Sequence, residues 1–182
     1  VDEYWSSQSH VHRQLLKATL EHLPSFDSVL EVGSNCGPNL QQIKNIYPKV
    51  AAFGIDVNDE AIKAGNMWCD AVFTKGSADA IPFGDQLIDL VLADAALIYV
   101  PPTEINKAVD EIARVAKKMV ILFEWFNPSE LGVLKDFHWA RNYTKLFKDK
   151  GFTPLIEHKL TEDEWPSERW INNGYMFVFL RS

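Results

Sequence analysis

The stretch "SVLEVGSNCGPNLQQI", residues 28–43, decides the fold. It joins a short apolar run, Val29 to Val32, to a polar loop bracketed by Gly33 and Gly37, and then to Leu40 and Ile43 at helical spacing. Pro38 falls where the first turn of a helix tolerates a residue without an N–H, and Pro48 closes the segment. The stretch therefore predicts a strand, a tight turn and a helix.

Working outward, the same alternation repeats along the chain. "VAAFGID" (50–56) predicts a second strand, Glu60 to Trp68 a second helix and "AVFT" (71–74) a third strand. "LIDLVLAD" (87–94) is a fourth strand, nearly continuous in apolar residues as expected of a strand covered on both faces. Ile105, Ala108, Val109, Ile112 and Ala113 line one helix face. Thr103 is its expected cap, and Lys117 and Lys118 stand at its carbonyl end. "MVILFEW" (119–125) is a fifth strand, after which Trp139, Tyr143, Leu146 and Phe147 predict a helix stopped by Gly151. "FTPLIEH" (152–158) and "YMFVFLRS" (175–182) bring the count to seven. A helix over 10–23, with Val11, Leu15, Ala18 and His22 on one side, precedes the first strand.

Strands alternating with helices predict an α/β fold: a Rossmann-like, seven-stranded, mostly parallel sheet with helices on both faces and the last strand antiparallel. No repeat or linker interrupts it, so residues 1–182 read as one domain. Within it, 1–27 form a leading helical segment, 28–123 a core, and 124–182 a following segment with the last strands.

Composition narrows the partners. The 182 residues are 47% hydrophobic, enough for a core that needs no disulfide or metal. Lys and Arg number 18 against 25 Asp and Glu, a net charge of -7, and no basic run exceeds Lys117–Lys118, so nucleic acid is excluded as a partner. Cys36 and Cys69 fit no disulfide or metal spacing, which suits a reducing cytoplasm. No apolar run is long enough for a membrane span, and "VDEYWSSQSH" is too polar for a signal peptide. A small-molecule substrate and a monomer or homodimer are expected.

In such a sheet, ligands bind at the carboxyl ends of the strands beside the first one. That gathers Glu31 to Gly37, Asp56, Ser77 to Asp79 and Asp94 around one crevice. A nicotinamide dinucleotide needs a GxGxxG turn for its pyrophosphate, whereas this turn is Gly33, Ser34, Asn35, Cys36, Gly37. Glu31 would also repel a pyrophosphate. A ligand carrying an ammonium, a sulfonium and a ribose diol finds carboxylates favourable, and the reading is S-adenosyl-L-methionine, with S-adenosyl-L-homocysteine as product.

"LEVGSNCG" resembles motif I of the class I S-adenosylmethionine-dependent methyltransferases, "GIDVN" the acidic strand end that follows it, and "GSADAIPFGDQLIDLVLAD" their third and fourth strand region. The resemblance covers residues 28 to about 123. Within that family "EVGSNCGPNL", "GSADAIPF" and "EWFNPSE" most resemble methyltransferases associated with the biosynthesis of surface sugars such as pseudaminic acid.

The resemblance assigns roles. Gly33 and Gly37 let the backbone pass close under the methionine part of the cofactor. The Ser34 and Asn35 backbone lines its carboxypropyl pocket, with Asn35 in place of the usual middle glycine. Glu31 belongs to the same motif. Asp56 accepts from both ribose hydroxyls, and Val57 packs on the adenine face. Ser77 or Asp79 takes the adenine amino group, with the Ala78 amide as donor. Asp94 lies next to the cofactor's ammonium, Ala95 and Leu97 flank the methyl group, and Tyr4 and Trp5 fold over the site. An acceptor oxygen would gain from a base, for which His138, Glu124, Tyr99, His10 and His12 are the candidates and none stands out. No metal-binding spacing is present. An oxidoreductase and a catalytically silent cofactor-binding module are the competing readings.

Overall fold

The computed structural model describes residues 1–129, 133–135 and 137–182. Seven strands form one sheet: β1 (Ser28–Val32), β2 (Ala51–Asp56), β3 (Val72–Lys75), β4 (Ile88–Asp94), β5 (Ala116–Trp125), β8 (Phe152–Lys159) and β9 (Gly174–Arg181). Their spatial order is β3-β2-β1-β4-β5-β9-β8. The first five pair in parallel, and β9 runs antiparallel to both β5 and β8. This is the predicted Rossmann-like sheet with its last strand reversed. A two-stranded ribbon, β6 (Val133–Lys135) with β7 (His138–Trp139), lies apart.

Among the described residues there are seven α-helices: α1 (Asp2–Ser6), α2 (His12–Leu20), α3 (Pro38–Ile46), α4 (Asp59–Trp68), α5 (Ile105–Val115), α6 (Tyr143–Lys148) and α7 (Glu168–Asn173). The fourth strand is buried at every position, which accounts for its unbroken apolar run. One sheet face packs Val29, Leu90 and Ile121 against Leu16 and Leu20 of α2, Leu40 and Ile43 of α3 and Trp170 of α7. The other packs Leu30, Val91 and Val120 against Ile105, Val109 and Ile112 of α5 and Tyr143 and Phe147 of α6.

Three local expectations are corrected. The residue before α5 is Glu104 rather than Thr103, and it makes no side-chain cap. Trp139 belongs to β7, and α6 begins only at Tyr143, because the Asn142 side chain accepts from the Lys145 N–H and starts the helix there. The short α1 and α7 carry no long apolar period and were not anticipated. In α2, the buried residues are His12, Arg13, Leu16, Thr19 and Leu20, the face opposite the expected one. Val11 is 41% exposed.

Candidate functional site

β1 and β4 are neighbours, but their following connections run to opposite sides of the sheet, α3 to one face and α5 to the other. The gap this leaves at the carboxyl edge holds a cavity of about 610 Å³. Gly33 lies at its centre line, Asp56 and Val57 come from the β2 side, and Asp94, Ala95 and Ala96 come from the β4 side. Asn35, Ser77, Ala78, Asp79 and Tyr4 also line it, so sequence positions far apart meet in one space.

The glycine turn is built for close approach. Gly33 has φ +72°, and a Cβ there would stand 2.5 Å from the Ala96 Cβ. Gly37 has φ +83°, and a Cβ there would meet the Phe73 ring at 2.3 Å, so packing beneath the turn, rather than cofactor contact, requires glycine at 37. Asn35 also adopts the left-handed conformation, φ +48°, which asparagine tolerates better than most residues. Its side chain accepts from the Cys36 N–H at 2.8 Å. Ser34 is fully buried beneath the turn, with its hydroxyl directed to backbone carbonyls.

Asp56 is fixed before any ligand arrives. Its Oδ2 accepts from the Asn35 N–H at 2.8 Å and its Oδ1 from the Asn58 N–H at 2.9 Å. Each oxygen keeps a second lone pair, and two acceptors side by side suit a vicinal diol. Asn58, not Asp56, caps α4. On the adjoining wall Asp79 accepts from the Ser77 hydroxyl and from Lys107 at 3.1 Å, so both its oxygens already hold a partner.

On the β4 side, one amide ties two carboxylates together. Asn39 Nδ2 donates to Glu31 Oε1 and to Asp94 Oδ2, each at 2.7 Å. Asp94 Oδ2 also meets His12 Nε2 at 2.8 Å. Burial pushes the Glu31 carboxyl up to about 8, opposed by the Asn39 hydrogen bond and reinforced by the Asp94 charge. Burial also pushes Asp94 upward, but His12 and Asn39 outweigh it and hold that carboxyl below its ordinary value. Two linked acids thus separate into one neutral and one ionised. Glu31 lies under the cavity rather than in its lining.

Glu31 Oε2, Asn39 Oδ1 and Asp94 Oδ1 are buried oxygens without a hydrogen-bond partner, and of the three residues Asp94 lines the cavity. Such atoms are costly unless a donor arrives, and one ammonium brings three donors. The residues therefore fit an amino-acid head group on the β4 side and a ribose on the β2 side. No group of His, Cys, Asp and Glu among the described residues could hold a metal ion.

Tyr4 reaches into the cavity. Burial, then the Asp94 and Glu31 charges, drive its phenol well above the ordinary range, so it remains a neutral donor. Trp5 packs instead on Trp68, with ring centroids 5.6 Å apart, outside the lining. Leu97 is turned into the core, and Ala96 stands beside Ala95 in its place.

The five base candidates divide. Glu124 is fully buried and corrected as a free base, since Oε1 accepts from the Ala96 and Leu97 N–H groups and Oε2 from that of Ile98. His12 is 3% exposed, stacks on Trp165 with centroids 4.1 Å apart, and has both ring nitrogens engaged, by Asp94 and by His10 Nδ1 at 2.5 Å. His10 is outside the cavity lining, half-buried, and held below the usual histidine range first by burial. Tyr99 is in the cavity wall and 59% exposed, and the His138 ring lies 4.7 Å from it. Glu130 of "EWFNPSE" lies outside the described residues.

Several wall residues went unread in the sequence: Gly76, Ala96, Val100, Pro101 and Glu104. Asn39 was missed too. Its signal is a polar residue on the inward face of α3, eight positions after a strand-end glutamate.

Among solved structures the same fold recurs at low identity. A Haloferax volcanii protein, described in complex with the Trm112 methyltransferase activator, has a TM-score of 0.74 at 19% identity, covering 96% of this chain and 91% of that one. The magnesium protoporphyrin IX methyltransferase of Synechocystis PCC 6803 with bound S-adenosylhomocysteine has a TM-score of 0.71 at 15% identity, covering 94% and 84%. The PH0226 protein of Pyrococcus horikoshii OT3 has a TM-score of 0.72 at 17% identity, covering 100% and 92%. A sequence search of curated proteins found no match. A family model described as a methyltransferase domain matches residues 29–119, half of the chain. With the Rossmann-like sheet, the glycine turn and the strand-end acids in place, the chain belongs to the methyltransferase domain family, whose class I members take S-adenosylmethionine as methyl donor.

Proposed function

We propose that this chain binds S-adenosyl-L-methionine and transfers its methyl group to a small polar metabolite. The observation that carries the reading is one cavity that joins Asp56, already held by two amides, to Asp94 with its unpartnered Oδ1 across Gly33. A sugar or glycan precursor is the acceptor class implied by the likeness of "EVGSNCGPNL", "GSADAIPF" and "EWFNPSE". The two free thiols, Cys36 and Cys69, suit a reducing, cytoplasmic location. No helix among the described residues is long and apolar enough to cross a membrane.

When bound, the cofactor supplies an electrophilic methyl carbon on a sulfonium. Asp56 would orient the ribose, and Asp94, held from beneath by Asn39, would receive the ammonium. Gly33 lets the backbone approach between them. Tyr4 covers the site and limits water. In-line transfer depends mainly on alignment, worth up to about 7–11 kcal/mol for ideal geometry. The acceptor would enter beside Tyr99, which lines the cavity wall with the His138 ring 4.7 Å away, and one of these two groups would take its proton.

Incubation with methyl-radiolabelled cofactor and a desalted metabolite extract tests this. Label should move into a small product with the wild-type protein and not with Asp56→Ala. The second reading, a silent cofactor-binding module, is favoured by the occupied state of His12 and Glu124. It predicts calorimetric binding of S-adenosylhomocysteine with no label transferred.

A further inference from the structure

The 3-10 turn that follows β4, Leu97–Tyr99, is gripped by a carboxyl at one end and a guanidinium at the other. At the start, Glu124 accepts from three successive N–H groups, those of Ala96, Leu97 and Ile98, at 3.0, 2.8 and 2.9 Å. At the finish, the Arg141 guanidinium donates to the Leu97 carbonyl at 2.7 Å and to the Val100 carbonyl. Such a turn presents N–H groups at its start and carbonyls at its finish, so an acceptor side chain at one end and a donor at the other complement it, the Leu97 carbonyl taking the guanidinium as a second donor beside the Val100 N–H.

Both side chains are buried, 0% exposed for Glu124 and 5% for Arg141. Both ride on the same support, because the Arg141 N–H donates to the Trp125 carbonyl at 2.9 Å, one residue beyond Glu124 on β5. Buried charges are a poor way to gain stability, and apolar side chains often serve as well. What the clamp holds is the cavity wall: Ala95, Ala96, Tyr99 and Val100 all line it. Ala95 has φ +52°, a conformation unfavourable for alanine that persists only where its surroundings enforce it. The Ala96 Cβ, in turn, occupies the space that a side chain at Gly33 would need.

We propose that Glu124 and Arg141 are positioning residues which, from opposite ends, set the 95–100 turn in the shape that receives cofactor and acceptor. The proposal rests on the methyl-transfer reading above. Glu124→Gln keeps the side-chain size but turns an amide N–H toward at least one backbone N–H. Arg141→Lys keeps the charge but loses the fork that reaches two carbonyls.

S-adenosylhomocysteine would be titrated calorimetrically into wild type and both variants. The unliganded proteins would also be compared by thermal melting and by amide hydrogen exchange. The expected result is binding weakened about tenfold or more in each variant, with melting of Arg141→Lys shifted by less than about 5 °C. In Glu124→Gln, the amides of 96–98 should exchange faster while those of β1 and β4 keep their protection. Binding within twofold of wild type in both variants overturns the proposal. So does unchanged protection at 96–98, or a loss of protection spread evenly over the sheet, which marks a merely structural role. If wild type itself takes up no S-adenosylhomocysteine, the methyl-transfer reading fails, and the exchange data still decide whether the clamp holds the turn.

Discussion

Glu31 and Asp94 share one donor, Asn39, but burial leaves the Glu31 carboxyl raised while His12 beside Asp94 holds that one down. The sign of the resulting pH dependence follows from the direction of the Glu31 shift. Its carboxyl sits at about 8 in the folded protein against 4.5 for the unperturbed group, so the fold holds this proton more tightly than the unfolded chain does. That contribution is complete below about pH 4.5 and is lost as the pH rises through about 8. Glu31→Gln keeps the bond from Asn39 and has no proton to lose. Wild type should therefore fall in melting temperature between pH 5 and pH 8, and the variant should fall less. Parallel curves for the two proteins would refute the assignment. Gly33 makes a second case. Gly33→Ala adds a left-handed alanine and a collision with Ala96, together about 2–4 kcal/mol of lost stability in denaturant titrations. Adding Ala96→Gly should return the collision part and leave about 1–2 kcal/mol. No recovery in the double variant would show that backbone strain alone sets the cost.

At the scale of elements, α2 shows what the sequence hid. Read by apolar period alone, its inner face is Val11, Leu15, Ala18 and His22. The structure instead turns His12, Arg13 and Thr19 inward, because each has a polar partner there: Asp94 for His12, the Ser7 carbonyl for Arg13 and the Met176 sulfur for Thr19. A helix that roofs a polar site inverts the usual pattern, and its partners lie up to 157 positions away in sequence, so no local period can reveal it. By contrast β1, the glycine turn and α3 were legible, since strand alternation, left-handed glycines and an N-terminal proline are all local. Removing the α2 contact should be expensive. His12→Leu leaves the buried Asp94 carboxylate with only Asn39, and a loss of about 3 kcal/mol in chemical denaturation is expected. Asp94→Asn in that background should recover part of it by removing the stranded charge. A His12→Leu protein as stable as wild type would mean that the pair contributes nothing.

Across the whole molecule, the strand order and the place of the cavity follow from the alternation of elements, whereas the cavity walls beyond the motifs do not. Val100, Pro101 and Glu104 follow a turn whose backbone meets Glu124 and Arg141 through contacts 26–44 positions apart. The charge of that assembled surface has its own consequence. The chain carries a net charge of -7, and the charged side chains in the described cavity lining, Asp56, Asp79, Asp94 and Glu104, are all acidic. S-adenosylmethionine bears one more positive charge than S-adenosylhomocysteine, so the protein's field favours donor over product. Part of that field acts across solvent, where salt screens it over roughly 8–10 Å at 0.1–0.15 M. The ratio of the two dissociation constants should therefore shrink with ionic strength, by about threefold between low salt and 0.5 M sodium chloride. Calorimetry with both ligands at each salt concentration measures it. A ratio that stays constant would place all of the discrimination in short, desolvated contacts beside Asp94 and none in the acidic surface around them.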